Sequence, residues 1–324
     1  MKTILVSGAS GIVGYGILRS LRKSPQKMRL IGTTIYKDSV AQGFCDLFEQ
    51  APRTGEAGYL DWLLQVIKKH RVDLIIPGIE VDTYTWAEHV HVFKKSGAKV
   101  LLNNTALISL CRDKWTFYET LRQKNVPQLI ESSLSTDFDA LVKQFGFPFL
   151  LKPRCGSGAR GIVEIATVDL FRKHQHEIGA VLMAQPYVGN KNEEFTSAVF
   201  CDGKGGFYAH MTLKRELSKE GFTDKAEVVM IDEMKEVLLL LCGLLKPIGP
   251  TNFQFRMHQG MLKLLEINPR ISSSTSIRTA FGFNECLMGV EYFLENKKPA
   301  QPVITQGKAV RYIEDFIFFK NQIN

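Results

Sequence analysis

The stretch Leu264-Leu-Glu-Ile-Asn-Pro-Arg-Ile-Ser-Ser-Ser-Thr-Ser276 ends an apolar run with one acid and one amide, Glu266 and Asn268, a single residue apart. Side chains two apart on a β-strand point to the same face, and Pro269 then stops the strand. Glu266 and Asn268 therefore present oxygen atoms together at a strand end. Hard oxygen donors suit Mg²⁺, which takes one or two carboxylates and completes its shell with water and substrate phosphates. The preceding run, Asn252–Met257, joins Met261–Ile267 through the hairpin-type connection His258-Gln-Gly260 and carries Gln254. Gln254, Glu266 and Asn268 are the expected metal ligands, and the two amides add oxygens without adding charge.

A second chemical element lies upstream. Lys152-Pro-Arg-Cys-Gly156-Ser-Gly158-Ala-Arg-Gly161 delivers a lysine from a strand into a glycine-rich turn that a further strand leaves. Glycines let backbone N–H groups converge on an anion, and lysine supplies a point charge for phosphate. It is not a Walker loop, because no Gly-Lys-Ser/Thr is present and a strand follows in place of a helix. Lys114 opens the preceding helix, and Glu193-Glu194 follow the segment Gln185-Pro-Tyr-Val-Gly189.

The first hundred residues alternate short apolar runs (Ile4–Val6, Leu30-Ile31, Leu74–Ile76, Val100–Leu102) with helical patterns at Ile12–Lys23, Tyr59–His70 and Thr83–Ser96. Such alternation predicts βαβ units and a parallel sheet. Helices at Asp113–Asn125 and Phe138–Phe145 and a pair of strands form a small α+β unit. A strand-rich, antiparallel region follows, interrupted by a helix at Asp232–Leu245. Tyr84, Trp86 and Trp115 read as packing residues.

Gly8-Ala-Ser-Gly11-Ile-Val-Gly14 follows a strand and opens a helix, like the dinucleotide fingerprint of epimerases and reductases. That alternative, an NAD(P)-dependent enzyme, also needs Tyr-x-x-x-Lys on a helix. The literal match Tyr187-Val-Gly-Asn-Lys191 contains Gly189 and Asn190, which break helices. No clear acidic residue ends the second strand.

Length and composition fit this picture. A chain of 324 residues, 45% apolar and 23% charged, builds two or three domains with a large core. The longest apolar run, Val237–Leu245, is far short of the roughly 20 residues of a membrane span. No signal-peptide pattern opens the sequence. Six scattered cysteines without a C-x-x-C pair predict neither a zinc site nor a disulfide framework, and point to a reducing cytoplasm. The net charge of +8 is spread along the chain, which favours a phosphorylated small molecule over nucleic acid.

Taken in order, these motifs resemble the ATP-grasp superfamily over nearly the whole chain, most of all one ATP-binding half of the carbamoyl phosphate synthetase large subunit. Leu265-Glu-Ile-Asn-Pro-Arg270 is the most specific of them. The resemblance implies an α/β fold: a Rossmann-like pre-ATP-grasp domain (residues 1–103), an α+β lid (104–187) and a C-terminal ATP-grasp part with the metal site (188–324). It implies ATP as substrate and one or two Mg²⁺ ions, with Mn²⁺ as a substitute, bound through Gln254, Glu266 and Asn268. Lys114 and Lys152 would hold phosphates, and the backbone of Gly156, Ser157, Gly158 and Gly161 would close over them. Gln185 and Val188 would meet adenine, and Glu194 (or Glu193) the ribose. Arg270 would stabilise the transferring phosphoryl group, with Lys152 and Lys214 as further catalytic lysines. The implied reaction is ligation of a small carboxylate to an amine or thiol, without nucleic-acid or membrane partners, in a homodimer. Gln185 replaces a common acid, Ser272-Ser273-Ser274 replace an extra basic residue, and a single ATP-grasp unit is present. Carbamoyl phosphate synthesis itself is therefore not implied.

Overall fold

A computed structural model describes residues 1–156 and 160–318, a mixed α/β protein with three sheets. The chain begins with β1 (Lys2–Val6), α1 (Ile12–Arg22), β2 (Met28–Thr34), β3 (Leu47–Gln50), α2 (Tyr59–His70), β4 (Leu74–Ile76), α3 (Glu80–Glu88), α4 (Val90–Ser96) and β5 (Lys99–Val100). The five strands pair in parallel in the order β3-β2-β1-β4-β5. Successive residues of β1 and β4 pack into different cores, one with α1 and the other with α2 to α4, so both strands read as unbroken apolar runs.

Two expectations are corrected here. The helix read as Thr83–Ser96 is two helices, because the backbone leaves helical geometry at His89. That bend allows Trp86 and Phe93, both fully buried, to meet edge to face at 5.9 Å. The first of these helices also starts earlier than its apolar periodicity indicates, at Glu80.

The chain continues with α5 (Thr105–Arg112), α6 (Lys114–Gln123), α7 (Phe138–Phe145), β6 (Phe149–Pro153), β7 (Val163–Ile165), α8 (Val168–His174) and β8 (Leu182–Pro186). The strands form an antiparallel sheet, β7-β6-β8, over a core of Leu141, Phe149, Leu151, Ile165 and Phe171. Gln185 is the last residue but one of β8, and the chain leaves the strand only after Pro186.

The remaining elements are β9 (Glu194–Asp202), β10 (Phe207–Leu217), β11 (Thr223–Val229), α9 (Met234–Leu245), β12 (Ile248–His258), β13 (Met261–Asn268), α10 (Thr275–Ala280), α11 (Glu285–Glu295) and β14 (Lys308–Val310). The strands pair antiparallel in the order β13-β12-β9-β10-β11-β14. One face of this sheet packs on α9 through Phe195, Val199, Phe253 and Phe255. The other face carries Ala198, Phe200 and Met211, packed with residues of α10 and α11.

The late helices do more than cover their own sheet. Cys286 and Val290 of α11 lie in the same core as Ile4, Val6 and Ile76 of the first sheet. Asn284 Nδ2 donates to the Ser20 carbonyl at 2.9 Å, and Asn103 Nδ2 donates to Thr251 Oγ1 at 2.8 Å. The first and last parts of the chain are thereby joined, which fixes the carboxyl edge of the parallel sheet against the end of β13.

Candidate functional site

The site is built at the strand end with which the reading began. In the β12–β13 pair, Asn252 lies opposite Asn268 and Gln254 opposite Glu266. On β9, Glu194 and Thr196 are neighbours of Arg256 and Gln254, and on β10 Arg215 lies beside Glu194. Strand alternation places all of these on one face. Asn268 Nδ2 donates to Glu266 Oε1 at 2.9 Å, and Arg270 Nη2 donates to Asn268 Oδ1 at 3.1 Å.

The phosphate-holding candidates are brought to the same place by a local clip. Asp113 caps α6 by accepting from the Trp115 and Thr116 N–H groups, and it pairs with Arg154 at 2.5 Å. The Lys114 N–H donates to the Arg154 carbonyl at 2.8 Å. The start of α6 is thus tied to the end of β6, and Lys114 Nζ reaches the Gly156 carbonyl at 2.6 Å. Gly156 has φ +115°, a conformation that suits glycine.

A cleft runs between these elements. Its walls include Glu80 and Tyr84 of α3, Cys111 of α5, Lys114 and Phe117 of α6, Lys152 of β6, Gly156, Met183 and Gln185 of β8, and Glu266 and Asn268 of β13. Six residues selected from the sequence — Lys114, Lys152, Gly156, Gln185, Glu266 and Asn268 — line this one cleft, although they come from four elements and a turn. Desolvation and the charge of Lys114 lower the Lys152 pKa to about 8, with Glu266 only partly opposing them. Desolvation pushes Glu266 upward, but Lys152, the Asn268 amide and Lys114 outweigh it and hold the carboxyl below its ordinary range. A carboxylate facing lysines in a cleft is therefore ionised, as a cation ligand must be.

Other candidates lie beside the cleft and are already engaged. Arg215 Nη2 donates to Gln254 Oε1 at 2.6 Å. Glu194 is buried between Arg215 at 2.7 Å and Arg256 at 2.8 Å. Arg256 also donates to the Val188 carbonyl at 3.2 Å, which fixes the segment after β8 against β12. Gln185 Nε2 donates to Ser132 Oγ at 2.8 Å. Glu193 is exposed. Gly161 turns at φ +75° against Pro153. Ser157 and Gly158 lie outside the described residues.

Lys214 is a correction. Its neighbour Arg215 faces Glu194, so alternation turns Lys214 to the opposite face of β10. There it borders a separate groove with Lys225 and Lys308. Sequence reading also passed over Glu80, Arg256 and Tyr84. Tyr84 was taken as packing, yet it lines the cleft, and only the early start of α3 could have signalled this.

The glycine loop after β1 is explained by packing. A Cβ on Gly14 would sit 2.2 Å from the Gly8 carbonyl oxygen, and one on Gly8 would sit 2.3 Å from Ile79. The glycines let α1 and the β4–α3 turn approach β1 closely. Tyr187–Asn190 is not helical, so the Tyr-x-x-x-Lys match lacks the geometry that a reductase requires.

Comparison with known proteins agrees with the fold. Residues 179–316 match the family model "ATP-grasp in the biosynthetic pathway with Ter operon", and residues 6–101 match "PylC-like, N-terminal domain". The matches give an ATP-grasp domain late in the chain and a PylC-like domain at its start. The chain is similar to N5-carboxyaminoimidazole synthetase from Staphylococcus aureus, with TM-score 0.72 and 18% identity over 94% of this chain and 80% of that one. The biotin carboxylase–β-γ-ATP complex from Campylobacter jejuni aligns with TM-score 0.74 and 15% identity, over 95% of this chain and 74% of that one. Among curated relatives, the carbamoyl phosphate synthase large chain of Clostridium acetobutylicum is 22% identical over 236 residues, 68% of this chain and 22% of the relative. The C-terminal section of the Methanocaldococcus jannaschii large chain is 24% identical over 193 residues, 55% of this chain and 31% of the relative. The chain thus spans less than a third of the length of these two relatives. Among the described residues, no helix is long and apolar enough to cross a membrane.

Proposed function

We propose that the protein is an ATP- and Mg²⁺-dependent ligase that activates a carboxylate as an acyl phosphate for attack by an amine or another nucleophile. The observation that supports this most is the convergence of Lys114, Lys152, Glu266 and Asn268 on one cleft, with Arg270 bonded to Asn268 at its edge.

The donor set fits Mg²⁺: one ionised carboxylate, Glu266, beside the Asn268 amide, with phosphate left to complete the shell. Glu266 and Asn268, with Gln254 opposite Glu266 on β12, would hold the ion, and Mn²⁺ suits the same hard oxygens. When bound, such an ion would supply charge neutralisation at the phosphates.

The chain's own residues do the rest. Lys114 and Lys152 place positive charge on the phosphates, and Gly156 and Gly161 bring backbone close to them. Gln185 and Val188 border the base, and Glu193 or Glu194 takes the ribose hydroxyls. A substrate carboxylate oxygen attacks the γ-phosphorus while the bond to ADP breaks. The nucleophile then attacks the acyl carbon, loses a proton and expels inorganic phosphate. Arg270 spreads its charge over the oxygens that become negative, which matters most in a water-poor site. Splitting the reaction in this way replaces a poor leaving group with a good one.

The test is ADP release with Mg-ATP and a panel of carboxylates and amines. Glu266→Ala is expected to lower turnover by about 10²–10³-fold, the usual worth of a charge-stabilising group, with the melting curve retained. Unchanged turnover in that variant overturns the assignment.

A further inference from the structure

We propose that the carboxylate activated in this cleft belongs to an α-amino acid, and that Glu80 is the residue that selects it by binding its ammonium group. The proposal rests on the ligase reading above and names its substrate class.

Glu80 opens α3 at the carboxyl edge of the first sheet and lines the same cleft as Lys152 and Glu266. Among the described residues its one ion pair is with Arg270, at 3.5 Å, with side-chain exposures of 26% and 18%. That distance is too long for a well-formed charged hydrogen bond. Arg270 keeps shorter bonds to Asn268 Oδ1 at 3.1 Å and the Ile271 carbonyl at 3.3 Å. The pair is loose, which leaves the Arg270 guanidinium open to a substrate carboxylate as well as to the oxygens that gain charge during transfer.

Charge balance then fixes what Glu80 requires. A substrate carboxylate on Arg270 takes up the guanidinium charge and leaves Glu80 as an unpaired anion in a partly desolvated cleft, a costly state. Of the acids that line the cleft, Glu266 is engaged by the Asn268 amide and two lysines, whereas among the described residues Glu80 pairs with a single cation, Arg270, and has the neutral Tyr84 hydroxyl beside it. A cation on the substrate itself restores the balance. The short gap between Glu80 and Arg270 sets its position, because an ammonium one carbon from the carboxyl group reaches Glu80 while the carboxylate meets Arg270. Tyr84 stands beside Glu80; burial and that carboxylate raise its hydroxyl pKa, so it remains a neutral hydrogen-bond donor.

The experiment uses the full chain with Mg-ATP and two acid pools: the common α-amino acids, and the matching 2-hydroxy acids that lack only the ammonium. The amino-acid pool is expected to stimulate ADP release at least about tenfold more, because a site built for a polar group rejects the analogue without it. Glu80→Gln is expected to remove that preference, mainly through KM, while Mg-ATP affinity stays within about twofold. Glu80→Asp keeps the charge and is expected to retain part of the preference, which separates recognition from a folding defect. Equal stimulation by the hydroxy acids, or an unchanged ratio in Glu80→Gln, overturns the proposal. So does a protein that binds Mg-ATP but responds to neither pool; in all three cases the nucleotide site still stands. Absence of Mg-ATP binding overturns the ligase reading, and this proposal with it.

Discussion

Two arginine–glutamate pairs near the end of β13 show how burial divides the same chemistry into different tasks. Arg270 meets Glu80 at 3.5 Å across the cleft, with side chains 18% and 26% exposed. Arg278 meets Glu285 at 3.3 Å inside the protein, at 0% and 1%. Arg278 also donates to Ser272 Oγ, Thr196 Oγ1 and Asn252 Oδ1 at 2.7 to 2.9 Å, tying α10 to the loop that carries Arg270 and to β9 and β12. Its Nε and Glu285 Oε2 have no partner among the described residues, so this clamp carries a desolvation cost as well as a benefit. The buried pair holds β9 and β12, the strand that pairs with β13 at Asn268; the open pair is left accessible from the cleft.

The comparison breaks if the buried pair is dispensable. Arg278→Met strands Glu285 in the core and is expected to cost about 3–5 kcal/mol of stability, with Arg278→Met/Glu285→Met recovering most of it. The matching change at the cleft, Glu80→Gln, is expected to cost less than about 1 kcal/mol. Chemical denaturation of the variants measures both, and equal losses would erase the distinction.

Lys152 sharpens the picture of the open side. Its pKa of about 8 means that it loses charge as pH rises through that value, whereas an ordinary lysine stays protonated there. Mg-ATP affinity is expected to fall about tenfold on the alkaline side, the worth of one charged contact, with bound phosphate moving the midpoint upward. Lys152→Arg should flatten that limb in a calorimetric pH series; an identical limb in the variant removes Lys152 from the phosphate site.

The smallest effect is expected at Lys214, which faces away from both pairs. Lys214→Ala should leave ADP release within about twofold of the unmodified protein. A large loss would mean that β10 presents its other face during turnover.

Much of this was legible from spacing alone. Glu266 and Asn268 share a face because strand side chains repeat every two residues, and Asp113 announces the start of α6 because an acid caps exposed N–H groups. The six candidates that meet in the cleft each sit at a strand end, a turn or a helix start, where local rules apply. Lys214 lies off the cleft, since a resemblance that names a strand lysine does not say which face of the sheet it takes. Glu80 was missed because its helix begins before any apolar repeat.

The sequence by itself determined which segments become strands and helices, and which oxygens and cations stand at their ends, since these follow from the periodicity of the backbone. Only the tertiary structure decided which of those charges are neutralised internally. Glu194 lies between Arg215 and Arg256, Arg278 is closed off with Glu285, and α11 completes the core of a sheet formed at the other end of the chain. Such pairings join residues far apart in sequence, and their strength depends on how much water the surrounding fold excludes.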